Sequence, residues 1–385
     1  MPCAWLNIAL MHHPGSFKVS MKPGGVAMVT LDLQDNKMNV MGETFLAELP
    51  PIVEKLENDS SVKVIVFISG KKDFIAGADI PMFAKVSARG KDAIVKEVSN
   101  ACTAFFDKML AGKPKVAAIS GACLGGGAEF ALACHYRIAT VDATVGFPEV
   151  MLGLLPGAGG TQRLPQLIGI QAALPMLMTG ATKKAKSAKS MKLVDMTCEV
   201  AQLADCAAVV AADIAAGKTK IPKRGVFKGA NAYIEKAISE YSFVRDYVFK
   251  TAKSQVMKQT QGNYPAPLKI IEVLKKSLDS KSLGKKKGYD YEADGFADLA
   301  LTPESSGTTR RQSSHRVDGN IDRATIALAL LCDLFVRVLG LGAKSRSAAL
   351  SLFPTDSPLF AVSRADPMRL RVFQGLRPSF SGRLP

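Results

Sequence analysis

The stretch from position 119 to 164, ISGACLGGGAEFALACHYRIATVDATVGFPEVMLGLLPGAGGTQRL, limits the chain more than any other. It carries two glycine clusters, two glutamates and few other side chains capable of chemistry, so its backbone must turn tightly and approach its neighbours closely. Ala117, Ala118 and Ile119 read as the end of a buried strand. Gly125, Gly126 and Gly127 follow as a turn, and Ala128 to Cys134 continues as an apolar helical pattern. Main-chain N–H groups at such a turn have no partner inside the helix and sit at the positive end of its dipole. They can hold an anionic oxygen.

Glu129 follows the glycine cluster within the first helical turn, and Glu149 lies in the apolar context Gly146-Phe147-Pro148-Glu149-Val150. An acid set among Phe, Pro, Val, Met and Leu has its ionised form disfavoured. Two carboxylates in unlike surroundings suit an acid and a base working near neutral pH. Taken singly, each also fits a bland role: Glu129 as a charge favourable to the helix dipole, Glu149 on a solvated loop.

The rest of the chain alternates strand and helix signals, as an α/β fold does. Gly25 to Leu33, Val62 to Ile68 and Lys115 to Ser120 read as strands, the second buried on both faces. Helical stripes run over Glu43 to Glu57, with a kink or break at Pro50 and Pro51, and over Ala101 to Leu110, Thr161 to Met178, Ala201 to Ala216, Ala230 to Lys258 and Leu268 to Leu278. Gly157-Ala158-Gly159-Gly160 fails the dinucleotide-binding pattern, because Gln162 occupies the sixth position and no strand leads directly into it.

Composition narrows the function. The formal charge of +16 raises nucleic acid, an anionic membrane face or a polyanionic small molecule as partners. No nucleic-acid module accompanies the charge, and the lysines cluster late, in 183–192 and 218–287. The seven cysteines form no CxxC and the four histidines are scattered, so no metal site is expected and the thiols suit a reducing compartment. His135, at the end of a buried helix, reads as structural. The most apolar run, 324–341, is interrupted by Asp333 and Arg337, and no transmembrane helix is expected. Residues 1–20 read neither as a secretory leader nor as a good transit peptide.

Four blocks occur in one order: Phe74-Ile75-Ala76-Gly77-Ala78-Asp79-Ile80, Gly121 to Glu129, Phe147-Pro148-Glu149-Val150, and Gly153 to Leu164. Together they resemble the enoyl-CoA hydratase/isomerase (crotonase) family. The resemblance implies a ββα spiral of two packed sheets with C-terminal helices. It implies that the N–H groups of Ala78 and Gly126 hold a thioester oxygen and that Gly157 approaches a catalytic water through its backbone. Ala76, Asp79, Ile80 and Pro148 would contact substrate. No cofactor is implied beyond the coenzyme A that the substrate itself carries, whose phosphates some of the lysines would steer.

Within that family, Glu129 would be the base on a water attacking C3 of a trans-2-enoyl thioester, and Glu149 the acid at C2. An isomerase moving a double bond between positions 3 and 2 would use the same oxyanion site, with Glu149 shuttling the proton. A truncated, non-catalytic subunit is the third reading. A weaker continuation, 261–267 and 288–305, is similar to the alpha subunit of the mitochondrial trifunctional β-oxidation enzyme and its bacterial multifunctional relatives. It implies fatty acid β-oxidation in the mitochondrial matrix, peripheral contact with the inner membrane, and either a homo-oligomer or a complex with a thiolase β subunit. One departure from the family is local: Lys192, before Leu193-Val194-Asp195, stands where the family has glycine.

These readings divide the chain into an extension (1–20), a core (21–200), a helical region (201–305) and an unmatched tail (306–385). The tail has eleven arginines against one lysine and no glutamate, a composition foreign to what precedes it. It reads as an out-of-frame, intron-derived or isoform-specific end, disordered except for one helix at 321–341.

Overall fold

Strands too apolar to face water on either side need a layer on each face, and the architecture follows from that requirement. The computed structural model describes residues 15–308 apart from 35, 226, 228, 229 and 261–263. In chain order the strands are β1 (Phe17–Lys22), β2 (Val26–Leu31), β3 (Val64–Ser69), β4 (Lys115–Ile119), β5 (Ala122–Leu124), β6 (Tyr136–Thr140), β7 (Thr144–Gly146), β8 (Lys183–Lys184) and β9 (Met196–Cys198). The helices are α1 (Glu43–Asn58), α2 (Ile80–Ser87), α3 (Lys91–Ala93), α4 (Ala101–Ala111), α5 (Gly126–Leu132), α6 (Gly160–Ile168) and α7 (Ile170–Thr179). They continue with α8 (Ala185–Ser190), α9 (Leu203–Ala215), α10 (Ala230–Glu240), α11 (Ser242–Thr260), α12 (Pro265–Asp279), α13 (Lys286–Ala300) and α14 (Pro303–Thr308).

Six strands form one sheet in the order β1-β2-β3-β4-β6-β9, parallel except for the β1–β2 hairpin, while β5, β7 and β8 form a smaller second sheet. The chain leaves the large sheet at Ile119 and enters the small one at Ala122. It repeats the step from β6 to β7. These strand-strand-helix turns are the ββα spiral, and they deliver the ends of β5 and β7 to one place.

On one face of the large sheet, Val64, Val66 and Ile68 of β3 meet Leu203, Ala207, Ala211 and Ile214 of α9. Spacings of four, four and three put those helix residues on a single stripe, so small alanines let the helix lie close to the strands. On the other face, Phe67 meets Phe130 of α5 edge to face at 5.0 Å. Phe45 and Phe106 stand around Phe130 at 5.7 and 5.9 Å. Each such aromatic pair adds roughly 0.5–1.5 kcal/mol beyond area burial, which anchors the helix that carries Glu129.

Several expectations change. β1 begins at Phe17, inside the stretch read as an extension, because Phe17 and Val19 alternate into the core. α1 runs unbroken through Pro50 and Pro51. The helix read over 161–178 is two helices, split at Gly169, whose φ of +86° ends α6. Glu235 of α10 then accepts the N–H groups of Ile170 at 2.8 Å and Gln171 at 3.2 Å, holding the start of α7. The stripe over 230–258 is likewise two helices. The boundary at position 200 is not a structural one: α9 completes the core, and the described residues belong to one compact unit. The expected tail helix at 321–341, and the tail from 309 onward, lie outside the described residues.

Candidate active site

Three loops meet beside the N-terminus of α5, and Asn39 fastens the first of them. Its fully buried amide donates to Leu31 O at 3.0 Å and Phe74 O at 3.2 Å, and its Oδ1 accepts from Leu33 N. Main-chain bonds from Ala76 N to Asn39 O, Met41 N to Gly77 O and Asp79 N to Met41 O then zip residues 39–41 to 76–79. In this bridge the groups that bond Met41 belong to Gly77 and Asp79, which leaves the Ala78 N–H turned to the opposite side. Leu124 N donates to Ile75 O, so this loop runs alongside the end of β5.

Gly125 makes the crossing possible. Its φ of +53° is a left-handed conformation, and a Cβ there would lie 3.7 Å from Gly77 Cα and 3.1 Å from Glu149 Oε1. Gly126 begins α5, where its N–H has no intrahelical partner. Among the described residues neither the Ala78 nor the Gly126 N–H donates to a side chain. The structure therefore brings Ala78, Gly126 and the Glu149 carboxyl to one crossing. Ile80 is half exposed at the start of α2, and Pro148 opens the 3-10 turn that carries Glu149. Asp79 is the N-cap of α2, its Oδ1 accepting Met82 N at 3.1 Å, so its carboxylate is occupied in starting that helix.

The two glutamates sit in unlike surroundings. Glu129 is buried on α5, and its Oε1 accepts from Ala158 N at 2.8 Å and Gly160 N at 2.7 Å. Burial raises its pKa, while those two N–H groups and the Arg163 guanidinium pull it back. Glu149 as a residue keeps partial solvent contact, yet its Oε2 is buried and accepts no hydrogen bond. Burial first, then the charges of Glu129 and Glu292, hold its carboxyl well above the ordinary carboxylate range.

Glu292 carries no signal in the sequence that marks it as part of the site. It sits on α13, buried, where its Oε2 accepts Thr161 N at 2.8 Å and its Oε1 accepts Gly159 N. The Thr161 hydroxyl also donates to it. Four consecutive amides, 158 to 161, thus alternate between Glu129 and Glu292. Burial and then the Glu129 charge push Glu292 up to about 8. The same helix face lays Phe296 on Gly157: a Cβ at 157 would stand 2.8 Å from the Phe296 ring. Arg163, also buried, bonds Asp107 at 2.6 Å and Ala158 O at 2.8 Å and stacks on Tyr289 at 4.8 Å. His135 bonds Lys115 N through Nδ1 and is packed beside Lys115 and Arg224. Burial drives it down to about 4, a structural and neutral imidazole. Among the described residues no group of three or more His, Cys, Asp and Glu side chains is set to hold a metal ion.

Comparison with known proteins bears on this geometry. A family model described as enoyl-CoA hydratase/isomerase matches residues 21–264, well over half of the chain. The chain belongs to the enoyl-CoA hydratase/isomerase family. It is 40% identical over 299 residues to the fatty acid oxidation complex subunit alpha of Idiomarina loihiensis, covering 77% of this chain and 40% of that protein. To the subunit of the same name from Shewanella frigidimarina it is 38% identical over 318 residues, covering 80% and 43%. The chain thus spans less than half the length of these relatives. A crystal structure of an enoyl-CoA hydratase from Bacillus anthracis matches with a TM-score of 0.48 and 22% identity over 78% of this chain and 99% of that one.

The crotonase ββα fold expected from the sequence is that of the family, and the homology to fatty acid oxidation subunits stands with it. The mitochondrial address is overturned, since these relatives are proteins of bacteria, cells without that organelle. Among the described residues no helix is long and apolar enough to cross a membrane. The family match ends at 264, so α13, with Glu292 and Phe296, lies beyond it.

Proposed function

We propose that this chain is an enoyl-CoA hydratase, adding water across the 2,3 double bond of a trans-2-enoyl-CoA to give a 3-hydroxyacyl-CoA. The observation that carries this reading is the pair of buried carboxyls in unequal surroundings at one glycine crossing. Glu129 has Oε1 fixed by two amides and no hydrogen bond at Oε2 among the described residues, as a base on water requires. In the proposed step the water oxygen bonds to C3 as Glu129 takes one of its protons. Negative charge moves to the thioester oxygen, held by the Ala78 and Gly126 N–H groups, and Glu149 gives its proton to C2. Each fixed donor of this kind is worth about 3–4 kcal/mol in comparable sites.

Gly157, Ala76, Ile80 and Pro148 are proposed to shape the substrate path, with Asp79 acting through the α2 cap. The relatives' names support a subunit role in a fatty acid oxidation complex; further copies of the chain or a thiolase β subunit are proposed as its partners.

Glu149→Gln tests the reading. It should lower kcat for hydration of crotonyl-CoA by about 10²–10⁴-fold with KM nearly unchanged. A variant with full turnover refutes it. Rates of the unaltered chain on trans-2-enoyl and 3-enoyl thioesters decide between hydration and double-bond migration, and absence of both rates leaves the non-catalytic subunit.

A further inference from the structure

The loop 157–161 has to keep its shape if Glu129 is to be aimed at a water, yet Glu129 alone takes only every second amide of it. Ala158 and Gly160 donate to Glu129, while Gly159 and Thr161 donate to Glu292, which reaches the loop from 131 residues away in the chain. A helix start whose donors are shared in this way is clamped from two sides, because neither carboxylate can move without leaving buried N–H groups unpaired. The clamp comes from a helix that also packs on α12 and turns one face to the loop. On α13, Gly288, Tyr289, Glu292 and Phe296 share one helix face and meet Gln162, Arg163, the loop amides and Gly157 in turn.

We propose that Glu292 is a positioning residue of the active site: by holding the Gly159 and Thr161 amides it fixes the loop that orients the Glu129 carboxylate, making α13 a working part of the site. The proposal rests on the hydratase/isomerase reading given above. A carboxyl buried solely to attach a helix has no need to bond the loop beside Glu129. Glu292 instead takes main-chain donors of the loop that carries two of Glu129's own hydrogen bonds. The groups facing it are Glu129 from α5, Glu149 from the turn after β7, Arg163 from α6 and Tyr289 on its own helix, with Asp107 of α4 behind Arg163. Its charge state therefore acts on the pair it positions as well as on the loop.

Glu292→Gln keeps the shape and one acceptor but sets an amide against Thr161 N, and Glu292→Ala removes both acceptors. On whichever enoyl thioester the unaltered chain turns over, kcat should fall about tenfold for Gln and about a hundredfold for Ala, the scale of a small misplacement of a catalytic group, with KM within about twofold. Glu292 acquires its charge as pH rises through about 8, and that charge opposes loss of the Glu149 proton; the Gln variant lacks it, so the alkaline limb of the kcat profile should move to lower pH. Thr161→Val deletes the hydroxyl bond to Glu292 and the one the hydroxyl accepts from Gln162 Nε2 but keeps the Thr161 N–H; it is the milder variant if the others fail to fold, and should lower kcat several-fold. Folded variants with unaltered kcat and pH profile overturn the proposal, as does a lower melting temperature with unaltered kinetics, which marks a purely structural clamp. An unaltered chain that turns over neither thioester overturns this proposal together with the functional reading. Active unaltered chain and indifferent variants overturn this proposal alone.

Discussion

Glu235 offers a measurement of the same device away from the chemistry. Its carboxyl is buried between α10 and the start of α7, and burial, opposed by the N–H groups of Ile170 and Gln171, raises its pKa from 4.5 to about 7. A carboxyl with a folded-state pKa above its unfolded value binds its proton more tightly in the native chain. Its contribution is therefore fully present below the unfolded pKa and is lost as pH rises through the folded one. The shift of about 2.5 units, at about 1.36 kcal/mol per unit, is about 3 kcal/mol lost between roughly pH 4.5 and pH 7.5. Glu235→Gln cannot titrate and so lacks this loss, although it forfeits one hydrogen bond by a constant amount at every pH. Urea unfolding of both proteins at pH 5, 6, 7 and 8 checks this. The stability of the variant minus that of the parent should rise with pH, by up to about 1.4 kcal/mol per unit and about 3 kcal/mol in all. Taking the difference cancels other titrating groups, Glu292 included. A difference that stays flat across that window refutes the argument, because it means that Glu235 titrates alike in the folded and unfolded chain.

Two further substitutions follow from backbone and packing. Lys192 is exposed with φ +63°, a left-handed backbone conformation that favours glycine. Lys192→Gly should stabilise the chain by about 0.5–1 kcal/mol, the relief of the left-handed strain less the added freedom of the unfolded chain, read as a higher urea midpoint. Gly157→Ala would press a methyl within 2.8 Å of the Phe296 ring, so α13 must shift. Its cost should be about 1–3 kcal/mol with a parallel drop in kcat, and Phe296→Leu in the same chain should recover part of the stability in a double-mutant cycle.

What the sequence determined by itself is local. The glycine turn before α5, the apolar strands and most helical stripes are written in near-neighbour spacing, and the resemblance that pointed to Ala78, Gly126, Glu129 and Glu149 rests on short contiguous blocks. Expectations failed where a single residue competes with a periodic pattern, and the outcome went both ways. Gly169 splits one helical stripe into α6 and α7, and the proline pair in α1 does not break it.

Tertiary structure alone decided how the site is held. Glu292 lies in Tyr289-Asp290-Tyr291-Glu292-Ala293-Asp294, where its acidic neighbours suggest a solvated face, yet it is buried and bonded to amides 131 residues earlier. Glu235 likewise carries no sequence mark of its bond to α7. A hydrogen bond from a side chain to a distant helix start needs no particular residue at the receiving end, only a free N–H. No pattern in the chain records such a bond, and only packing brings its two ends together.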